Sequence, residues 1–568
     1  MIEEDGSRTI SDDFADLLIE YSGDVSVFDS FPEATVNIIN YLYAVVHIPA
    51  RFLTLELIRQ FGYSIVPNPY GIISQSSVEA TGIQRLRNIP NFDLRGQGVL
   101  VGFIDTGIEY TNPIFRYPDG TTRIASIWDQ TVISERRPEN FVYGTEYTRE
   151  EINLALAAEN PLDIVQTTDE IGHGTMLAGV AAGNEVPEAN FYGIASESEF
   201  VVVKLKPAKQ PLRQFYLIPE DAVAYSEVDV LFGVYYLLQV ANALNRPMVI
   251  CIGIGSSQGG HDGRGILSNT LSLIGTRPGI VVVVAAGNEG NGRRHYFGRV
   301  NPISGFDTVE LTVGPNEGGF VLELWGESPS IYSIDITSPS GEYIPRITAS
   351  IGQTTEISFL FEKTIIYLVY ELIEAQTGDQ VIALRFNSPA EGIWRFNVYE
   401  RGDLNLGFHM WLPMEKFISE NTYFIRSDIY TTILSVGTAV VPLTVTAYND
   451  MDNSLYFYAG RGFTRTGVIK PEFAAPGVNV VGPAPGNRFL EYSGTSVAAA
   501  HATGVVAMLL EWGYVRRTIP SISSTEIKKL ILRGARRDPD IVYPNRDWGY
   551  GILDIYNVFS ALRTVVTP

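Results

Sequence analysis

Three residues far apart in the chain have the types that acyl transfer needs. Ser496 follows the turn Gly494-Thr495 and opens an apolar run from Val497 to Leu510 that reads as a buried helix ending near Gly513. A serine at a helix start is ordinarily an N-cap, its oxygen accepting from the free N–H groups of the first turn. The same position suits a nucleophile, because those groups favour the negative charge that develops in acyl transfer. His173 opens a helix of small residues in Gly172-His173-Gly174-Thr175, and Asp105 ends the apolar strand run from Val99 to Ile104. A serine nucleophile needs a base for its proton and a carboxylate to fix the imidazole tautomer. Each segment also has a structural reading: a cap, a packed histidine, a strand-end turn. Taken together, in the order Asp, His, Ser and each in a glycine-rich setting, they point to a hydrolytic triad.

These segments resemble the subtilisin-like serine proteases. The resemblance implies the roles of nucleophile for Ser496, base for His173 and orienting carboxylate for Asp105. A fourth position follows the strand Val281 to Ala285, where Ala286-Gly287-Asn288-Glu289-Gly290 delivers an asparagine. Asn288 there can stabilise the oxyanion, although Asn-Glu-Gly is also an ordinary turn sequence. Gly253, Ile254 and Gly255 resemble the family strand that pairs with the substrate backbone and forms one wall of the specificity pocket, and the resemblance implies substrate-binding roles for Ala286 and Gly287 as well. Most relatives have Ser-Leu-Gly where this chain has Gly253-Ile254-Gly255, which leaves the pocket's shape open.

The elements that must carry these residues are legible as an α/β alternation. Apolar runs at 99–104, 200–205, 247–254 and 280–286 lack alternation and are rich in Val and Ile, as in parallel strands buried on both faces. Helical patterns lie between them, including Asp221 to Leu244. With 568 residues the chain exceeds one compact core. Residues 1–66 form a small α+β unit, with Asp13–Tyr21 ambiguous between helix and strand, Tyr41–Ile48 a strand and Leu53–Phe61 a short helix. Preceding a subtilisin-like domain, this unit resembles the family's propeptide. The catalytic domain is expected at 67–303 and again at 427–568. Between them, residues 304–426 alternate polar and apolar residues between turns, as an antiparallel sandwich or jelly roll does.

Composition bounds the remaining classes. Hydrophobic residues make up 45% and charged residues 18%, which describes a globular chain. The net charge of −23 argues against a nucleic-acid surface. Cys251 is the single cysteine, so an internal disulfide is excluded, and its apolar setting marks it as a packing residue. No His/Cys cluster has zinc spacing, and no cofactor is expected for catalysis. The resemblance allows a structural calcium without suggesting a ligand set. His47, His295 and His409 read as packing or hydrogen-bonding groups and His501 as pointing away from Ser496, while His261 sits in the loop Gly259–Gly263, whose approach to the cleft the sequence leaves open. The acidic N-terminus lacks a signal-peptide pattern and no apolar run spans a bilayer, so synthesis in the cytoplasm is expected.

The absent export signal, N-terminal unit, β insert and Gly494-Thr495-Ser496-Val497-Ala498-Ala499-Ala500 together resemble the Csp proteases. These are clostridial spore proteases that activate a cortex-lytic enzyme zymogen during germination. That resemblance implies two protein partners, a zymogen substrate and the chain's own cleaved prodomain, and a spore-associated location. Some Csp relatives lack triad residues, so a non-enzymatic scaffold on the same fold is the alternative function class. If residues 1–66 are a propeptide, their last residues must run through the active site as its first substrate. The stretch expected to do so is Phe61–Val66, ahead of Pro67-Asn68-Pro69.

Overall fold

The computed structural model describes residues 6–31, 33–73, 75–76, 94–348 and 353–562. Its centre is an eight-stranded sheet. From edge to edge it runs Phe473–Pro476, Leu443–Tyr448, Ile280–Ala285, Met248–Ile252, Leu100–Asp105, Glu199–Lys204, Ile124–Asp129 and Thr145–Thr148. All neighbours are parallel except the last pair. The four apolar runs singled out in the sequence are adjacent central strands here. Their Val and Ile side chains are buried on both faces, which is why they show no alternation. The helix Glu227–Ala243 packs on one face and Thr495–Leu510 on the other.

The N-terminal unit is a three-stranded antiparallel sheet with Tyr43–Pro49 between Phe14–Glu20 and Thr35–Ile38. The ambiguous stretch 13–21 is therefore a strand, and the short helix spans Leu55–Phe61. This unit is held to the central domain by buried ions. Asp16 Oδ1 lies 2.6 Å from His47 Nδ1 and 2.5 Å from Lys209 Nζ, which also donates to the carbonyl of Arg8 at 2.9 Å. Burial alone would raise the Asp16 pKa, but the nearby Lys209 and His47 pull it well below the usual carboxylate range.

The insert is a β-sandwich. One sheet has six strands and the other five, and their inner faces share a single core containing Leu322, Ile334, Leu384, Trp394 and Phe396. The first strand of the six-stranded sheet is His295–Gly298, paired with Phe408–Trp411, so the sandwich begins upstream of residue 304. Alternation shows in the sequence where a strand buries one face only, whereas Gly319–Gly326 is buried along its whole length. The strand Asp307–Val313 buries Val309, Leu311 and Val313 and turns the residues between them outward.

Three sets of contacts seat the sandwich on the central domain and the N-terminal unit. The His261 ring stacks on Trp411 with centroids 4.2 Å apart. Arg465, whose side chain is fully buried, reaches Asp379 of the sandwich at 2.8 Å and Asp262 at 3.4 Å. Tyr63, from the end of the N-terminal unit, donates its hydroxyl to Glu323 at 2.9 Å. No helix among the described residues is long and apolar enough to cross a membrane.

Candidate active site

Asp105 is the last residue of the central strand Leu100–Asp105, and His173 is the first of the helix His173–Ala182. These two elements approach closely. A Cβ on Gly174 would lie 2.2 Å from the carbonyl oxygen of Gly107, which itself has φ +120. The glycines in Asp105-Thr106-Gly107 and His173-Gly174-Thr175 are thus required by contact and by backbone conformation. Thr106 Oγ1 accepts the Gly174 N–H at 2.9 Å, and Asp169 accepts the N–H groups of Gly172 and Thr175 at 2.8 and 2.9 Å. Together these bonds fix the start of the histidine helix.

The result is a connected relay. Asp105 Oδ1 lies 2.7 Å from His173 Nδ1, and His173 Nε2 lies 3.1 Å from Ser496 Oγ. Asp105 Oδ1 also accepts the Thr106 N–H at 2.8 Å. Ser496 is the second residue of its helix, whose N-cap is Gly494, and its hydroxyl is turned to His173. The capping reading of Ser496 therefore does not hold. A serine with a neutral imidazole at hydrogen-bond distance, backed by a buried carboxylate, can lose its proton as it attacks a carbonyl.

Asn288 lies across the cleft and its Nδ2 donates to the carbonyl oxygen of Ile73 at 3.2 Å. That contact reveals what lies in the cleft. Residues Pro69–Ile72 form a strand between Tyr225–Ser226 and Ile254–Gly255. The register pairs Tyr70 with Tyr225, Ile72 with Ile254 and Gly71 with Gly255. Beyond Ile73, Gln75–Ser76 pairs with Tyr492 and Ser493, immediately before the Gly494-Thr495-Ser496 turn. Pro69–Ile72 thus crosses beside the triad as an extended strand that brings the Ile73 carbonyl to Asn288. Phe61–Val66, expected there from the sequence, lies elsewhere: Tyr63 is buried against Glu323 and Phe215.

The substrate-wall residues separate into distinct jobs. Ile254 and Gly255 pair with the cleft strand, whereas Gly253 lies behind the triad, where a Cβ would be 3.1 Å from His173 Cε1 and 3.3 Å from Asp105 Oδ2. Gly255 and Gly287 face each other across Leu434, which a Cβ on either would approach to 2.6 and 2.5 Å. Ala286 accepts the Leu434 N–H at 2.9 Å and so sets that side chain between the two glycines. The Ile73 side chain enters the same space, 3.0 Å from a Cβ on Gly255. Leu434 therefore shortens an apolar pocket that Ile73 fills. Nothing in the residue pattern of Ile433-Leu434-Ser435 signalled this.

The other histidines stay outside the site. His261 bonds the carbonyls of Ile433 and Ser257, and His295 and His409 bond each other at 2.9 Å beside Trp411. His501 is buried beyond the nucleophile, and burial lowers its pKa to about 4. Cys251 lies in a central strand, and burial raises its thiol to about 12, which leaves it unreactive. No group of three or more His, Cys, Asp or Glu among the described residues could hold a metal ion.

Comparison with known proteins agrees with this geometry. The Subtilase family's sequence profile matches residues 96–310 and 430–551, leaving most of the sandwich outside. The chain is 24% identical over 494 residues to Subtilisin-like protease SBT1.9 of Arabidopsis thaliana, covering 78% of this chain and 60% of that protein. It is 28% identical over 121 residues to Bacillopeptidase F of Bacillus subtilis, 21% of this chain and 8% of that one. The chain thus spans about 60% or less of the length of these relatives. Among solved structures, the Clostridium perfringens CspB protease superposes with a TM-score of 0.74 at 30% identity, over 83% of this chain and 94% of that chain. Asp105, His173 and Ser496 all fall inside the matched segments, and on that basis the chain belongs to the Subtilase family.

Proposed function

We propose that this protein is a serine endopeptidase that first cuts its own chain after Ile73. The observation that carries the reading is the Asn288 Nδ2 bond to the Ile73 carbonyl, with Ser496 and His173 already paired beside it. Ser496 Oγ attacks the Ile73 carbonyl carbon while His173 Nε2 takes the hydroxyl proton. Asp105 holds Nδ1–H and stabilises the imidazolium. The oxyanion forms at Asn288 and at the Ser496 backbone N–H, where losing one donor costs about 3–4 kcal/mol of transition-state stabilisation. The imidazolium then protonates the departing amine, leaving Ile73 esterified to Ser496. Water, deprotonated by the same histidine, releases the acid and restores the serine.

The segment up to Ile73 then constitutes the prodomain, a boundary later than 66. Its grip on the enzyme after cutting is supported by the buried Asp16–Lys209 pair and by the strand pairing of Pro69–Ile72. The cut prodomain remains as an inhibitor until displaced, and the enzyme then acts on a second protein by limited proteolysis. The resemblance to Csp proteases, and the structural likeness to one, favour a zymogen of a spore cortex-lytic enzyme as that substrate.

Expression of the wild type beside Ser496→Ala, with N-terminal sequencing of the fragments, tests the first step. A new terminus after Ile73 in the wild type alone is expected. The same cut in both, or a cut in the wild type elsewhere, overturns the reading. Zymogen cleavage is read by incubating processed enzyme with spore-coat extract and comparing fragments with the Ser496→Ala control. Absence of any enzyme-dependent precursor cut overturns the germination role.

A further inference from the structure

The wall of the cleft over Gly71 is supplied by the sandwich. After the strand Phe408–Trp411 the chain turns back, with Met414 accepting the Phe417 N–H at 3.1 Å. Met414 and Phe417 are buried, and both face the cleft strand. A Cβ on Gly71 would lie 3.0 Å from Met414 Sδ, 3.2 Å from Met414 Cε and 3.2 Å from Phe417 Cζ. Gly71 does not have a positive φ, so its backbone does not itself require glycine. The requirement is for space.

That wall is braced by the residue next to the oxyanion asparagine. Glu289 Oε1 accepts the Glu415 N–H at 3.0 Å, and Glu289 Oε2 pairs with Arg294 at 3.0 Å. The Arg294 carbonyl in turn accepts the Leu412 N–H at 2.9 Å. The turn is thus tied at two points to the segment that carries Asn288. On the opposite side Gly71 is held in register by Gly255. A substrate strand fixed on that edge cannot move away from the turn without losing its backbone bonds.

We propose that the Met414–Phe417 turn makes this protease selective for glycine at the third residue before the cleaved bond. This rests on the reading above, in which the bond cut is the one after Ile73. A methyl group there requires Met414 to give by a few tenths of an ångström, and a longer side chain meets Phe417 as well. The substrates are therefore protein segments that reach the triad extended, with glycine third from the cut. The sandwich is then a specificity element as well as a stabilising one.

The test uses the full chain and reads the rate of self-processing. Gly71→Ala is expected to slow the cut modestly and Gly71→Leu by about tenfold or more. Adding Met414→Ala and Phe417→Ala to Gly71→Leu should return the rate to within about threefold of the same double variant carrying Gly71. Unslowed cutting of Gly71→Leu overturns the proposal, and so does slowing that the double variant does not relieve. The parent chain separates the two levels. An uncut parent fails the self-processing reading, whereas a cut parent with an equally cut Gly71→Leu fails the selectivity alone.

Discussion

Asn288 is held by two bonds to a single residue: its Oδ1 accepts both the backbone N–H and the hydroxyl of Thr495, each at 3.1 Å. Thr495 Oγ1 also accepts the Gly287 N–H at 2.9 Å. Thr495 is one position before Ser496, so the serine turn and Asn288 are built as one unit. With Oδ1 occupied, Nδ2 can only face the cleft.

Thr495→Val should therefore slow self-processing without touching the triad. It keeps the shape but removes the hydroxyl, leaving the buried Gly287 N–H without its acceptor, a loss of about 1–3 kcal/mol. The expected effect is a fall of about tenfold or more in the rate of the cut, with Thr495→Ser close to wild type. Quantifying fragment release over time for the three proteins checks it. Equal rates for Thr495→Val and wild type would show that Asn288 is oriented by something else.

The pocket that receives Ile73 gives a second outcome. Leu434 lies between Gly255 and Gly287, where a fuller side chain from the substrate would have to go. Ile73→Phe should be cut slowly in the wild-type enzyme. Opening the pocket with Leu434→Ala should restore that cut while weakening the one after isoleucine, because an aliphatic side chain then leaves a void. A Leu434→Ala enzyme with unchanged preference would place the discriminating contact elsewhere.

Much of this site was legible in the sequence, for a reason rooted in sterics. Asp105, His173 and Ser496 each need close backbone approaches, and those approaches demand glycines such as Gly107 and Gly174 next to the chemistry. The parallel strands were legible because burial on both faces leaves an unbroken apolar run. What the sequence concealed was pairing between distant edges. Pro67-Asn68-Pro69 reads as a rigid linker, yet Pro69–Ile72 pairs with Tyr225–Ser226 and Ile254–Gly255. Local composition does not tell which loop edges will accept a strand. Met414 and Phe417 were hidden for the same reason: they meet Gly71 only after the sandwich has docked.

A stability effect follows from Arg465. Its side chain is fully buried, donating to the Gly260 carbonyl at 2.7 Å and pairing with Asp379 at 2.8 Å. Removing Asp379 leaves the guanidinium in the domain joint with the Gly260 carbonyl and, as a charged partner, the longer Asp262 contact. Breaking such a pair from one side costs about 3 kcal/mol. Asp379→Ala should lower the chemical-denaturation midpoint, and trypsin should release the sandwich sooner. Unchanged unfolding and unchanged trypsin resistance would remove this pair from the list of what seats the sandwich.

The joint at Tyr63 should respond to pH, with a sign that the burial of Glu371 fixes. Glu371 Oε2 accepts the Tyr63 N–H at 2.9 Å, and burial raises the Glu371 pKa from its usual value to about 7. In the unfolded chain the same carboxyl ionises near 4.5. Between these values the folded protein holds a proton that the unfolded chain has lost. Folding is therefore favoured at the acid end, and stability from this group falls as pH rises from about 4.5 to about 7, then levels off. Ser496→Ala provides an uncut background in which the whole chain melts as one species. Melting temperatures for Ser496→Ala and for Ser496→Ala with Glu371→Gln should converge near pH 5. Above that they should separate, the Gln variant being the more stable by pH 8, because its neutral amide never has to ionise in the joint. A Gln variant with the same pH slope as its parent would assign the titration to another group.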